Sequence, residues 1–307
     1  MNERLDPVLR AVATTRTGLT DLPTIGLVRE SLDQRRRDAV ADTDTAGVSI
    51  HEQVVPAESH PVRVRIYRGG PAPSPIVIYC HAGAFVLGNL DTDHRQCVEL
   101  ARRGRCSVVS LDYRLAPEHP YPAALEDAIN VLTWLRCNAG ELDVDASRIA
   151  VAGSSAGGAL AACLAHRCAD GSLPPIVFQL LHQPVLDDRA TRSKAEFTAT
   201  PAFDGPGCEQ MWRHYLGSTA PSSDAVPARR SQLSSLAPAF ITCAEIDPLR
   251  DEALDYAQRL LGAGIATELH VFPGTCHGFD SLLPDWEVAE QLFTLQGRAL
   301  RRAFDGR

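Results

Sequence analysis

The sequence predicts an α/β protein built on a mostly parallel sheet flanked by helices. Short apolar, β-branched runs alternate with longer stretches of helical period along most of the 307 residues. Such alternation is typical of parallel strands joined by helical crossovers. One run also passes through a glycine-flanked serine into an alanine-rich stretch at residues 148–169, which indicates a strand, a sharp turn and a helix in immediate succession.

Eight runs are predicted to be strands: Gly47–Val55, Val62–Tyr67, Ile76–Cys80, Ser107–Leu111, Ile149–Ala152, Ile176–Leu181, Ala239–Ala244 and Thr267–Phe272. The first alternates polar with apolar residues, as expected of an edge strand. Five helices are predicted around them: Asp93–Gly104, Ala123–Asn138, Ala156–Ala169, Leu249–Leu261 and Trp286–Phe304.

Two regions lie outside this alternation and are predicted to form a cap over a pocket. Residues 1–45 fit two amphipathic helices, and residues 188–230 form an apolar, irregular stretch too long for a simple connection. A structural excursion is the alternative for the second region. Four apolar residues of the first helix are expected on one face: Leu5, Val8, Leu9 and Val12. The predicted organisation is cap helices at 1–45, core at 46–187, a cap insertion at 188–230 and further core at 231–307.

Charge and composition exclude several classes of function. The net charge of −8 argues against a nucleic-acid surface and against tight binding to anionic membranes. Residues 1–16 lack the apolar core of a signal peptide, and no stretch approaches the roughly 20 apolar residues of a spanning helix. We therefore expect a cytoplasmic protein without stable membrane association. The nine cysteines are scattered without zinc-ligand spacing, so we expect reduced, mostly buried thiols and no metal site.

A nucleophile is predicted at Ser155. The segment Gly153-Ser-Ser-Ala-Gly157 matches the G-x-S-x-G pattern of a nucleophile elbow and lies between an apolar strand and a helix, as that pattern requires. The turn exposes the serine, and the helix N-terminus favours negative charge near it. Ser154 is rejected because the same pattern around it would need glycines where the sequence has Ala152 and Ala156.

The general base is predicted to be His277, in a turn that follows the last predicted strand. Four other histidines follow the serine: His166, His182, His214 and His270. The first would lie roughly 16 Å from the serine along the same helix, too far to take its proton. His182 precedes the predicted acid, His214 falls in the cap insertion, and His270 lies inside a predicted strand.

The acid that orients the base is predicted to be Asp247, just beyond the carboxyl end of a strand. Catalytic groups gather at that edge of an open α/β sheet, and the order serine, acid, histidine is the one that accompanies a nucleophile elbow. Glu245 and Asp251 are alternative acids. The non-catalytic alternative for Asp247 is that it is an ordinary helix N-cap.

Backbone donors for an oxyanion are predicted in the loop upstream of the serine and at the residue that follows it. The segment from Tyr79 to Phe85 follows a strand, and the backbone N–H groups of Gly83, Ala84 and Ala156 would stabilise the negative oxygen of a tetrahedral intermediate. His81 is expected to brace this loop rather than act as a base.

In these and neighbouring segments the chain resembles the hormone-sensitive lipase family of esterases, in its bacterial branch. The matching segments occur in the family's order: His81-Ala-Gly-Ala-Phe, Asp112-Tyr-Arg-Leu-Ala-Pro-Glu-His-Pro-Tyr-Pro-Ala-Ala-Leu-Glu-Asp, Gly153-Ser-Ser-Ala-Gly-Gly, Asp247-Pro-Leu-Arg-Asp-Glu and His277-Gly-Phe. The second segment is the most specific, and the resemblance implies that it supports the oxyanion loop.

The resemblance implies an eight-stranded α/β-hydrolase core under a helical cap. It implies hydrolysis of short- to medium-chain acyl esters without a cofactor, and a homodimer formed through the edge of the last strand, Thr267–Phe272. Phe85, Phe203 and Trp212 are candidates for lining an acyl pocket, with core packing as the alternative. An amidase, deacetylase or lactonase would use the same triad. A non-catalytic receptor is disfavoured because His277 is present.

The chain departs from the family pattern in two places. Ala82 and Ala84 replace glycines of the His-Gly-Gly-Gly motif, and Ser154 replaces an aspartate before the nucleophile. The Cβ of Ala84 is expected to narrow the site or to resist a positive φ. We therefore expect poor activity toward bulky esters of tertiary alcohols.

Overall fold

The computed structural model describes residues 3–12, 21–57 and 60–306. Its strands are β1 (Ser49–Val55), β2 (Val62–Arg68), β3 (Ser74–Cys80), β4 (Ser107–Leu111), β5 (Val144–Ser154), β6 (Phe178–His182), β7 (Ala239–Ile246) and β8 (Thr267–Cys276). Its helices are α1 (Pro7–Val12), α2 (Leu22–Asp42), α3 (His94–Gly104), α4 (Ala123–Cys137), α5 (Ala156–Ala169), α6 (Arg192–Glu196), α7 (Gly205–Leu216), α8 (Arg250–Gly262), α9 (Phe279–Leu282) and α10 (Glu287–Phe304). A short 3₁₀ turn covers Pro227–Arg229.

The eight strands form one sheet in the order β1-β2-β4-β3-β5-β6-β7-β8. Strand β2 runs antiparallel to both of its neighbours, and every pairing from β4 to β8 is parallel. The predicted α/β fold is therefore confirmed, and β1 is the edge strand expected from its polar alternation. Strand β8 is the opposite edge, and pairing of two copies through it stays a prediction.

Side-chain alternation on the central strands separates two apolar layers. On β3, Ile76 and Ile78 join the cluster that contains residues of α4, α5 and α8. Val77 and Tyr79 instead join the cluster of α3 and α10. This period of two is what a strand covered on both faces requires.

The regions outside the sheet pattern contain helices, but their buried faces differ from the expectation. Leu5 and Leu9 are buried against Phe279 and its neighbours, whereas Val8 and Val12 are 52% and 44% exposed. The prediction of one apolar face through all four residues is therefore wrong. Helix α1 begins only at Pro7 and is six residues long, and Leu9 is its one buried residue. The division of the chain into cap and core stays a prediction.

Two further findings concern the cysteines and the apolar character of the helices. All nine cysteines are free, and eight of them are buried. Within the described residues, no helix combines the length and the apolar character needed to cross a lipid bilayer.

Candidate active site

The candidate groups lie at the carboxyl ends of neighbouring parallel strands. In the sheet register Cys80 pairs with Gly153, so the loop after β3 and the turn after β5 leave the sheet side by side. Likewise Ile246 of β7 pairs with Cys276 of β8, and Asp247 and His277 are the next residues. The register thus brings together groups that are 122 residues apart in the chain.

Ser155 occupies a sharp turn between β5 and α5. Its φ of +55° and ψ of −118° are unusual for a residue with a side chain, and such a conformation costs on the order of 1–3 kcal/mol. The N–H of Ser155 donates to the carbonyl of His182 at 2.9 Å, which holds the turn in place. A Cβ at Gly157 would lie 1.9 Å from the Cys80 carbonyl oxygen, so only glycine allows this close approach of helix and strand.

A chain of hydrogen bonds joins the three predicted triad residues. The Ser155 hydroxyl lies 2.9 Å from His277 Nε2, and Nδ1 of the same ring lies 2.8 Å from Asp247 Oδ2. The other carboxylate oxygen of Asp247 accepts the backbone N–H of Leu249, and Asp247 is fully buried. This arrangement fixes the position of the imidazole and leaves one ring nitrogen facing the hydroxyl.

The alternative acids have other partners. Glu245 accepts from the Arg4 side chain and from the N–H of Gly274. Asp251 accepts from the N–H of Ser193 and from Arg250. Only Asp247 among the three carboxylates has a hydrogen bond to His277 within the described part of the chain.

The loop after β3 folds back on the carbonyl of Gly83. That oxygen accepts the N–H groups of Val86 and Leu87 at 3.0 and 2.8 Å, and Gly83 has a φ of +138°. Ala84 has a φ of +53°, so its Cβ disfavours a positive φ without preventing it: the surrounding turn imposes that conformation. In the described structure, no hydrogen bond uses the N–H of Gly83, Ala84 or Ala156.

The buried side chain of His81 packs at the start of this loop. Its ring stacks on Tyr113 with 4.1 Å between centroids, and its Nδ1 lies 2.8 Å from the Ala82 carbonyl oxygen. Burial lowers the pKa of His81 to about 3, so the ring is neutral. Tyr113 donates to the His81 carbonyl, and the N–H of Ala116 donates to that of Phe85. The segment from Asp112 to Asp127 therefore contacts the loop, as the resemblance implied.

The three aromatic candidates fall into two groups. Phe203 lies against the His277 ring, with 5.2 Å between centroids. Phe85 stacks on Tyr215 at 3.8 Å and lies 5.9 Å from Trp212, whose indole N–H donates to the Asp187 carbonyl. All three are buried in the main hydrophobic cluster, and among the described contacts only that of Phe203 reaches a candidate catalytic residue.

Sequence reasoning missed a second pair of side chains behind His277. His182 Nε2 lies 3.0 Å from Asp280 Oδ1, and its Nδ1 lies 2.7 Å from Thr242 Oγ1. Next to it, the Gln183 side chain accepts the N–H of Gly278 at 2.6 Å. These contacts tie the loop of His277 to the end of β6. The rule that found Asp247, a polar group just past a strand, would also have pointed to His182 and Gln183.

Comparison with known proteins supplies the family. Residues 77–281 match a family model described as an alpha/beta hydrolase fold. The chain belongs to the α/β-hydrolase family. Within this family it is 39% identical to esterase LipI of Mycobacterium tuberculosis over 258 residues, which cover 81% of each protein. The resemblance to the hormone-sensitive lipase type of carboxylic ester hydrolase is thereby confirmed.

Two further relatives of this α/β-hydrolase are informative. The crystal structure of esterase LipW from Mycobacterium marinum superposes with a TM-score of 0.97 at 64% identity, covering 99% of this chain and 97% of the other. The ethyl acetate hydrolase of Pseudomonas putida is 33% identical over 254 residues, 80% of each chain.

Proposed function

We propose that this protein is a serine carboxylesterase that hydrolyses short- to medium-chain acyl esters through an acyl-enzyme intermediate. The observation that carries the proposal is the unbroken hydrogen-bond chain from the Ser155 hydroxyl through His277 to the buried carboxylate of Asp247. A serine hydroxyl is a weak nucleophile, and an adjacent base held by a third group is what activates it.

In the proposed mechanism, His277 Nε2 takes the hydroxyl proton as Ser155 Oγ attacks the ester carbonyl carbon. Asp247 stabilises the resulting imidazolium and stays ionised. The oxyanion accepts hydrogen bonds from the N–H groups of Gly83, Ala84 and Ala156. The imidazolium then returns the proton to the departing alcohol. A water molecule, deprotonated by the same imidazole, hydrolyses the acyl-enzyme and regenerates the serine.

Two observations support a preference for short acyl chains. Ser155 is only 4% exposed, and Phe203 lies against its base. One relative is named for the hydrolysis of ethyl acetate, a two-carbon acyl ester. A closely covered site of this kind is expected to favour small acyl groups over long ones.

The test is hydrolysis of p-nitrophenyl acetate, butyrate, octanoate and palmitate by the wild type, by Ser155→Ala and by the control Ser154→Ala. We expect activity that is highest on the short esters, a loss on the order of 10⁶-fold in kcat for Ser155→Ala, and near-normal rates for the control. Folded wild-type protein that hydrolyses matching p-nitroanilides faster than the esters would overturn the ester assignment in favour of an amidase. Absence of hydrolysis of either class would point to ligand binding.

A further inference from the structure

The guanidinium of Arg29 joins cap helix α2 to the two segments that shape the candidate oxyanion hole. Its Nε donates to the Val86 carbonyl at 2.7 Å, and its Nη2 donates to the Ala116 carbonyl at 3.0 Å. Glu118 holds the same guanidinium through two hydrogen bonds of 2.6 and 2.9 Å. One side chain from α2 thus contacts both the loop after β3 and the Asp112–Asp127 segment.

The contact is made at the residue that closes the oxyanion turn. The peptide between Val86 and Leu87 donates its N–H to the Gly83 carbonyl at 2.8 Å while its carbonyl accepts from Arg29, so the arginine acts on the far side of that peptide. The second backbone partner of Arg29, Ala116, is also connected to the loop, because its N–H donates to the Phe85 carbonyl. Arg29 therefore completes a ring of hydrogen bonds around the loop.

This loop needs an external brace because its backbone is strained. Gly83, Ala84 and Phe85 have φ values of +138°, +53° and +60° in succession. Conformations of this kind persist in residues with side chains only where the surroundings hold them. An oxyanion hole works through donors that are already in place before the reaction, so release of the loop would reduce the stabilisation of the transition state.

Helix α2 also acts on the other end of the loop. Arg36 lies two turns after Arg29 on the same helix, and its positive charge acts on the buried carboxylate of Asp93. That carboxylate accepts the N–H of Ala82 at 2.8 Å and the hydroxyl of Tyr79 at 3.0 Å. The hydrogen bonds of Asp93 thus hold the entry of the turn, and the positive charge of Arg36 on α2 favours the ionised form of that carboxyl.

We propose that Arg29 is a positioning residue, through which cap helix α2 holds the N–H groups of Gly83 and Ala84 in place for the oxyanion. The proposal rests on the proposed function. Loss of the brace affects the transition state more than the bound substrate. It therefore lowers kcat and leaves KM nearly unchanged.

The test compares Arg29→Ala and Arg29→Lys with Arg37→Ala, a control on the same helix whose side chain, among the residues that the structure describes, hydrogen-bonds only to Gln34. The readouts are kcat and KM on p-nitrophenyl butyrate and inhibition by an alkyl trifluoromethyl ketone, whose serine adduct carries an oxyanion. We expect Arg29→Ala to lose about 10- to 100-fold in kcat, and the same factor in ketone affinity, with KM within threefold of the wild type. Arg29→Lys keeps the charge but not the forked contacts, and we expect a smaller loss in both.

Two results would overturn the proposal. One is a kcat within twofold of the wild type in folded Arg29→Ala. If the alanine variant is not recovered folded, the same result in Arg29→Lys counts instead. The other is a loss of kcat without a matching loss of ketone affinity. The wild type and Ser155→Ala are measured on the same ester beforehand, so failure of the esterase assignment itself is recognised separately.

Discussion

The ammonium group of Lys194 lies 2.5 Å from the carboxylate of Glu252, and the carboxylate side chain is fully buried. Lys194 is the only lysine in the chain. Its ammonium also donates to the carbonyls of Asp187 and Arg189, and Glu252 accepts the N–H of Leu186. The pair therefore joins helix α6 to helix α8, which begins three residues after the candidate acid Asp247.

Removing Lys194 is expected to be costly. In Lys194→Met the carboxylate of Glu252 stays buried without its countercharge, and the loss of one partner of a buried ion pair lowers the free energy of unfolding by about 3–5 kcal/mol. Urea unfolding at pH 8 measures the effect. The double variant Lys194→Met/Glu252→Gln, which has no buried charge at this site, should recover part of the loss. A single variant that loses less than 1 kcal/mol would contradict this account.

The same carboxylate predicts a pH dependence of stability. Burial raises the pKa of Glu252 from 4.5 to about 7, against the opposing charge of Lys194. The native state therefore binds more protons than the unfolded state between these values, and stability falls as pH rises through this window. Relative to Glu252→Gln, the free energy of unfolding of the wild type should fall by about 3 kcal/mol from pH 4.5 to pH 8. A difference that stays constant over this range would refute the assignment to Glu252.

Asp247→Asn tests the choice of acid. The amide would still fit beside His277 but would no longer hold the ring in the required tautomer or stabilise the imidazolium, and kcat should fall on the order of 10⁴-fold. Glu245→Gln is the matched control, because that carboxylate instead holds Arg4 and the N–H of Gly274. Steady-state hydrolysis of p-nitrophenyl butyrate should show a change of less than threefold in the control. A large loss in Glu245→Gln and a small one in Asp247→Asn would reverse the two roles.

Gly83→Ala tests the shape of the oxyanion turn. A Cβ there would lie 2.0 Å from the Leu87 carbonyl oxygen, so the backbone must move, and the proposed oxyanion donors, the N–H groups of residues 83 and 84, move with it. We expect a loss of about 100-fold or more in kcat/KM. Gly26→Ala is the control, because a Cβ there meets no atom within 4 Å. It should keep full activity, and its free energy of unfolding, measured by thermal denaturation, should rise by about 0.5–1 kcal/mol. Full activity in a folded Gly83→Ala protein would show that this glycine is dispensable.

Much of the fold and part of the site followed from local patterns. Predicted strands and helices coincide with the observed ones in the core, and for Ser107–Leu111 and Ala156–Ala169 even the end residues agree. Local hydrophobic periodicity reports which face of an element is buried, and the fold class follows from it. The same reasoning failed for Val8 and Val12, because a short surface helix buries only what its neighbour happens to cover.

The sequence by itself determined the α/β class, the elbow at Ser155 and the candidates Asp247 and His277. Each of these depends on residues adjacent in the chain or on the rule that catalytic groups follow strand ends. Only the tertiary structure decided which residues from outside the predicted sheet pattern contact the core segments. Arg29 meets Val86 across 57 residues, and Lys194 lies against Glu252, 58 residues further on. No local pattern marks such pairs, because packing of distant segments determines which arginine or lysine is buried against a carbonyl or a carboxylate.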